Sequence, residues 1–191
     1  MNREFLKQAL NLFDTPEKWN SFLELSNKKN EINNEWYKKA KTEIIHYFIN
    51  DPAEGWSFVN WNTWDYRWFL EDFGKESFCL WMFGNRIGLW LNGNHFESAK
   101  ATALLSTEKY SPLLSTLRPD SIFDNDWKIF EAGNFFFDSV NDGHIENDKL
   151  AWYAGNKTEK FVEQVTEKVN RIRKSPELTQ LLREINETCK K

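Results

Sequence analysis

Apolar residues near the start of the chain recur every three or four positions, the spacing of a single helical face. Residues 5–13 follow this pattern, so we expect a first helix that ends near Asp14. Thr15-Pro16-Glu17 then combines an N-cap residue, a proline suited to the first turn and an acid near the positive end of the helix dipole. These three residues predict the start of a second helix.

The second and third helices are predicted from the same spacing. In the second helix we expect the large apolar side chains to turn inward, namely Trp19, Phe22 and Leu23. A third apolar pattern runs from about residue 31 to residue 49. Asp51-Pro52 should end it, because proline disfavours helical geometry in the residue before it.

From Trp56 onward the period changes from 3.6 to 2, and aromatic and β-branched residues replace helix formers. Residues 77–83 and 86–91 flank Gly84-Asn85, a pair suited to the positive φ angles of a two-residue hairpin turn. If these two residues form the loop, the cross-strand pairs are Phe83 with Arg86, Met82 with Ile87, Trp81 with Gly88, Leu80 with Leu89, and Cys79 with Trp90.

This register divides the hairpin into two faces. One face collects Phe78, Leu80, Met82, Ile87, Leu89 and Leu91, and the other collects Cys79, Trp81, Phe83 and Trp90. Residues 64–70 also alternate and predict a strand with one drier face and one mixed face. Residues 56–61 add an earlier strand. We therefore expect a meander of three or four antiparallel strands.

The remaining chain predicts further helices around a less regular stretch. A short helix is expected over 96–107 and another from Ser111-Pro112, followed by a polar loop over 118–126 and a second hairpin from 127–130 and 135–137. Thr158 is expected to cap a helix, and Ser175-Pro176 to start a last one. Residues 1–191 are thus interpreted as a single α+β domain, with N-terminal helices, a central antiparallel β-meander, and C-terminal helices packed on the sheet.

Composition limits the classes of protein that fit. The 191 residues include 25 Lys and Arg against 29 Asp and Glu, a formal charge of −4, which disfavours nonspecific nucleic-acid binding. The mean hydropathy is −0.69, and no apolar run approaches the roughly 20 residues that cross a bilayer. We see no signal peptide in the first residues, and two cysteines fit a reducing compartment. We therefore expect a cytoplasmic protein with no membrane partner.

Motifs for common chemistries are absent from the sequence. His46, His95 and His144 have no metal-ligand spacing, and there is no glycine-rich phosphate loop or nucleophile elbow. Cys79 lies in the most apolar strand, where burial would leave it inert, and Cys189 is expected to fray near the end. We accordingly expect no metal and no cofactor.

Three acidic segments suggest chemistry only weakly. Pro119-Asp120 followed by Asp126-Trp127-Lys128 resembles the string of metal-dependent nucleases, with Asp120 and Asp126 as metal ligands and Lys128 stabilising negative charge, although the two acids are close for separate strands. Residues 138–149 resemble a calcium loop that lacks two of its ligands. Glu71-Asp72 is a carboxylate pair of the kind that acts on sugars. The first is explained more simply as a solvated acidic loop before a strand and the second as a polar turn, and paired acids such as the third are common by chance in a chain with 28% charged residues.

Aromatic density is the strongest anomaly. The chain has 10 Trp, 5 Tyr and 16 Phe, and six tryptophans fall in the sheet region: Trp56, Trp61, Trp64, Trp68, Trp81 and Trp90. Exposed rings in a row stack on sugars, bases or apolar side chains of a partner, whereas buried rings form a core. Trp64, Tyr66 and Trp68 share one strand face and are the predicted ligand-binding residues.

The sequence therefore favours a soluble intracellular binding or interaction protein that uses an aromatic-rich sheet face or a cleft between sheet and helices. Its partner would be a protein or a small molecule. A metal-dependent hydrolase of the nuclease type is the alternative, and sugar binding is a third hypothesis.

Overall fold

A computed structural model describes residues 3–61, 65–83, 86–117, 121–122, 128–132 and 147–191. Three helices come first: α1 (Arg3–Leu12), α2 (Pro16–Asn27) and α3 (Lys29–Asn50). Four strands follow: β1 (Trp56–Asn60), β2 (Asp65–Leu70), β3 (Cys79–Phe83) and β4 (Arg86–Trp90). The rest is α4 (Ser98–Leu105), a 3₁₀ turn (Glu108–Tyr110), α5 (Ser111–Leu117), β5 (Ser121–Ile122), β6 (Lys128–Ala132), α6 (Asn147–Asn156), α7 (Thr158–Arg173) and α8 (Pro176–Cys189). The protein is an α+β fold, as the sequence predicts.

Strands β1 to β4 form the expected antiparallel meander. The β3–β4 register is the predicted one, with Cys79 opposite Trp90, Trp81 opposite Gly88 and Phe83 opposite Arg86. Gly84 and Asn85 lie outside the described residues. Because a slip of one residue would send every side chain to the opposite face, the alternation of the two strands fixes this pairing.

The sheet extends beyond the meander, to the order β1-β2-β3-β4-β6-β5. Strand β6 pairs antiparallel with β4, and β5 pairs with β6. The expected polar loop over 118–126 therefore contains a short strand, which corrects that prediction. The predicted partner strand at 135–137 lies outside the described residues.

Helices α3 to α8 share one hydrophobic core with one face of the sheet. Helix α3 contributes Ala40, Ile44 and Phe48 at intervals of four residues. In α8 the buried Asn186 accepts from the amide of Phe78 at 2.9 Å and donates to its carbonyl at 3.1 Å. This carboxamide fastens the last helix to the chain entering β3, where the backbone would otherwise be buried without partners.

Helix α6 was not predicted from the sequence. Its buried side chains, Leu150, Ala151 and Ala154, pack into the core, and its Gly155 lies against Trp36 of α3. Thr158 does not cap α7 as predicted. It is the first residue of that helix, and its hydroxyl donates to the carbonyl of Ala154 at 2.8 Å.

Helices α1 and α2 form where predicted, and the Thr15 hydroxyl accepts from the amide of Lys18 at 3.3 Å. Their packing differs from the prediction, because α2 has no buried residue. Trp19, Phe22 and Leu23 are exposed rather than turned inward. Helical periodicity identified the apolar side of α2, but that side packs on the Phe13 ring that follows α1 and not on the hydrophobic core.

The C-terminal helix is firmly docked. Cys189, expected to fray, is buried in the core, because the amide of Glu97 donates to its carbonyl at 2.8 Å and Phe96 bridges to Lys190. Within the described ranges, a search for bilayer-crossing helices finds none of sufficient length and apolar character.

Candidate functional site

The sheet presents two chemically different faces. One face, which we call the core face, contributes Tyr66, Trp68, Leu80, Met82, Ile87 and Leu89 to the core shared with the helices. The other face, which we call the second face, carries Asp65, Arg67, Cys79, Trp81, Phe83 and Trp90. Trp61, the residue after the end of β1, lies beside Asp65, since its amide donates to the Asp65 carbonyl. Cys79 and Trp90 are buried, yet they do not belong to the core shared with the helices.

Arg67 is the centre of the second face. Its guanidinium carbon lies 4.3 Å from the ring centroid of Trp61 and 3.8 Å from that of Trp90, so the two indoles sandwich it. Both distances are well within the range of a cation–π contact. Strand alternation explains the arrangement, since Arg67 pairs with Trp81 across β2–β3 and Trp90 projects from the same face two strands away.

Asp65 neutralises the arginine. The Nε and Nη2 atoms of Arg67 donate to the two carboxylate oxygens of Asp65 at 3.0 and 2.9 Å, the bidentate geometry that suits a guanidinium. Asp65 and Arg67 are 7% and 6% exposed. The third nitrogen, Nη1, is buried and has no hydrogen-bond acceptor in the part of the chain that the structure describes. The guanidinium therefore has donor capacity left on one nitrogen.

Further aromatic rings, some of them exposed, lie on the same face as this buried pair. Trp81 and Phe83 stack with their centroids 5.8 Å apart and their planes 10° from parallel. Phe83 is 46% exposed, Trp61 is 42% exposed, and the ammonium of Lys75 lies 5.1 Å above the Trp61 ring. The second face thus combines solvent-accessible rings with a buried, partly satisfied cation.

Two of the three predicted ligand-binding residues lie on the core face and not on the second face. Tyr66 and Trp68 are buried on the core face, where Trp68 meets the Phe48 ring of α3 at 4.9 Å. Burial raises the pKa of the Tyr66 hydroxyl above its ordinary value. Trp64 lies outside the described residues. A ligand would reach Tyr66 and Trp68 only after helix α3 had moved away from them.

Cys79 is buried on the second face, opposite Trp90 in the pairing of β3 with β4. Burial raises the pKa of its thiol, with nearby Arg67 acting in the opposite direction. The thiol therefore stays protonated at neutral pH, as the sequence predicts, and a nucleophilic role is disfavoured.

A cleft of about 360 Å³ lies at the other end of the strands, lined by Asp72, Phe73, Glu76, His95, Phe96 and Lys190 among others. Its acids already have partners. Arg183 donates to Asp72 at 2.6 Å, and the side chain of Asn92 donates to Glu76 at 2.8 Å. The cleft lies between the loops that follow β2 and β4 and the C-terminal end of the chain, and both of its acids are engaged in internal contacts.

The nuclease-type residues are not brought together by the described part of the chain. Asp120 and Asp126 lie outside it, and Lys128 begins β6, paired with Trp90. Glu71 accepts from the Ser57 hydroxyl at 3.0 Å, while Asp72 pairs with Arg183, so this carboxylate pair is engaged elsewhere. Among the residues described, no group of three or more His, Cys, Asp or Glu side chains is placed to hold a metal ion.

Sequence reasoning missed Arg67 as the centre of the site. The available signal was the alternation of Asp65 and Arg67 on the opposite side of the strand from Tyr66 and Trp68. Two charged residues between tryptophans indicate a mixed face, and the face that carries charge is the one left outside the core.

The chain matches no protein-family model, no curated protein and no solved structure.

Proposed function

We propose that this chain is a binding protein that holds a protein partner on the second face of its sheet. The observation that carries the proposal is the pair of exposed rings, Trp61 and Phe83, with the half-buried Trp81 on the same face as the buried Arg67. Tryptophan and arginine are enriched at protein interfaces and supply much of their binding energy. Large rings left in solvent on a sheet face gain free energy when a partner covers them.

The chemistry of the face suggests what the partner presents. Apolar side chains of the partner would cover the Trp61 and Phe83 rings, and a carbonyl or carboxylate oxygen would accept from the buried Arg67 Nη1 once the Trp61 ring moved aside to admit it. Such an oxygen would complete the hydrogen bonding of a guanidinium that Asp65 satisfies on only one edge. A polypeptide segment offers both groups at close spacing, which is why we favour a protein over a sugar.

A peptide-display selection against the wild-type protein tests this proposal. Peptides are selected on the wild-type protein alone, without counter-selection, and their binding to the wild type and to the double variant Trp61→Ser/Phe83→Ser is then measured by calorimetry. We expect selected peptides to lose at least about tenfold in affinity for the double variant, the equivalent of about 1.4 kcal/mol. The matched control is Trp152→Ser, since Trp152 is an exposed tryptophan of α6, away from the sheet.

Two results would overturn the proposal. Peptides that bind the double variant as tightly as the wild type would show that the second face is not the binding surface. Quenching of tryptophan fluorescence by an oligosaccharide panel, with no selectable peptide, would favour the sugar hypothesis.

The hydrolase alternative with Asp120, Asp126 and Lys128 remains a hypothesis, and Mg²⁺ or Mn²⁺ titration with a nuclease assay tests it.

We also expect a cytoplasmic location, because Cys79 and Cys189 are both free thiols. Fractionation of the cells that express the chain would test this expectation.

A further inference from the structure

The first two helices have no covering in the structure. No described side chain before Tyr37 is buried. Helices α1 and α2 have 10 and 12 residues, and isolated helices shorter than roughly 12–15 residues are marginal in water. Packing of an apolar face is what stabilises such short helices in proteins, and the described body does not provide it.

The unpacked side chains form one patch, which we call the N-terminal apolar surface: Leu6, Leu10, Trp19, Phe22 and Leu23. Their exposed fractions run from 39% for Phe22 to 67% for Leu10. Phe13 joins the two helices, since its ring lies 4.5 Å from that of Phe22 and 6.0 Å from that of Trp19. Leu6, Leu10 and Phe13 are spaced by four and three residues, so they follow one side of α1.

From the size and charge of this patch we infer that the protein forms a two-fold homodimer, in which α1 and α2 of each copy cover the N-terminal apolar surface of the other. If each fully exposed side chain offers ~200 Å², the five residues leave about 470 Å² of apolar surface per copy. The largest contiguous apolar patch on a typical monomer covers about 300–600 Å² and is often functional, and this surface falls within that range.

The area agrees with what a stable dimer needs. Two such surfaces together give about 940 Å² of apolar area, and homodimer interfaces are about 65% apolar, so the full interface would bury about 1,450 Å². Stable interfaces bury roughly 1,200–2,000 Å² in total. A second copy therefore supplies enough surface without any contribution from the rest of the fold.

The charges of the two helices complement each other. Helix α1 carries Arg3 and Lys7 against Glu4, whereas α2 carries Glu17 and Glu24 against Lys18, so the first is net positive and the second net negative. A two-fold arrangement that places α1 of one copy against α2 of the other pairs these opposite net charges, and this is the arrangement we propose. The pair has no basic excess of the kind that draws amphipathic helices to anionic membranes.

Sedimentation equilibrium and light scattering on the purified full chain test the inference. We expect a wild-type mass of twice the 22.8 kDa chain mass. The double variant Leu10→Glu/Trp19→Glu should be monomeric, with an association constant at least about a hundredfold weaker. Trp152→Glu is the matched control, because Trp152 is 49% exposed against 47% for Trp19 and lies on α6; it should remain dimeric.

Circular dichroism separates loss of the interface from loss of the fold. The body should keep its thermal transition in the double variant, since neither Leu10 nor Trp19 is buried. A monomeric wild-type chain at high micromolar concentration would overturn the inference. So would a dimer that survives the double variant, or one that Trp152→Glu dissociates.

Vesicle flotation distinguishes a second copy from other partners of the N-terminal apolar surface. Flotation of a monomeric wild-type chain with phosphatidylcholine or phosphatidylserine vesicles would replace the homodimer with a membrane surface. A monomeric chain that floats with neither kind of vesicle would leave a different protein as the occupant, and would equally refute self-association.

Discussion

Removing one member of the buried Arg67–Asp65 pair should destabilise the protein more than removing both. In Arg67→Met, the methionine fills the slot between the Trp61 and Trp90 rings, but the Asp65 carboxylate is left buried without its guanidinium. Breaking a buried ion pair in this way costs about 3–5 kcal/mol. Asp65→Leu leaves the opposite charge unpaired and should cost a similar amount.

The double variant Asp65→Leu/Arg67→Met removes both charges together. Apolar replacement of a whole buried pair is often nearly neutral, and what remains lost is the cation–π contact with the two indoles, about 0.5–2 kcal/mol each. The double variant should therefore lose at least about 2 kcal/mol less than the sum of the two single variants.

Urea denaturation followed by far-ultraviolet circular dichroism gives the free energy of unfolding of all four proteins. Typical domains have about 5–15 kcal/mol of stability, so the single variants should still show a transition. The reasoning would be refuted if each single variant cost less than about 1 kcal/mol and the two costs were additive. In that case Arg67 and Asp65 would behave as a solvated pair, and the second face would not be organised around them.

Three further predictions concern the body of the fold. Asn186→Leu should cost about 2–4 kcal/mol in urea denaturation, because it leaves a buried amide and a carbonyl near β3 without partners; a loss below 1 kcal/mol would contradict this. Gly155→Ala should lower the melting temperature, since the added Cβ would lie 2.4–2.7 Å from the Trp36 side chain; Gly155→Ala in a Trp36→Ala background should be tolerated. The Lys109 ammonium lowers the pKa of Glu184, so their ion pair stabilises the folded protein at pH values above the pKa of this carboxyl in the unfolded chain. The stabilisation disappears as the pH falls through the lower pKa that Glu184 has in the folded protein. Lys109→Ala should thus reduce stability at pH 7 but not at pH 2, and an equal loss at both pH values would exclude the pair as its cause.

Local signals predicted most elements of this protein and their order. Thr15 and Ser175 cap helices because a hydroxyl accepts from an amide two or three residues later, a contact that depends on neighbouring residues alone. The β3–β4 register was equally accessible, since a two-residue loop between alternating strands leaves one pairing.

Contacts between distant segments were not predictable in the same way. Strand β6 adds to β4 across about 40 residues of intervening chain, and α6 is held by side chains that carry only a short apolar pattern. The candidate site also depends on contacts between distant segments. Tyr66 and Trp68 resembled a surface site in the sequence, yet they are buried under α3, while the buried Arg67 is the centre of the second face.

The sequence alone indicated where most helices and the strands of the meander begin, which residues share each of their faces, and how β3 and β4 pair. These properties follow from backbone geometry and from the periods of 3.6 and 2, which act over a few residues. Only the tertiary structure decided which sheet face the helices cover and that the apolar side of α2 stays uncovered. Both faces of the sheet carry aromatic residues, so the choice depended on the total burial that distant helices achieve, a quantity that no short stretch of sequence contains.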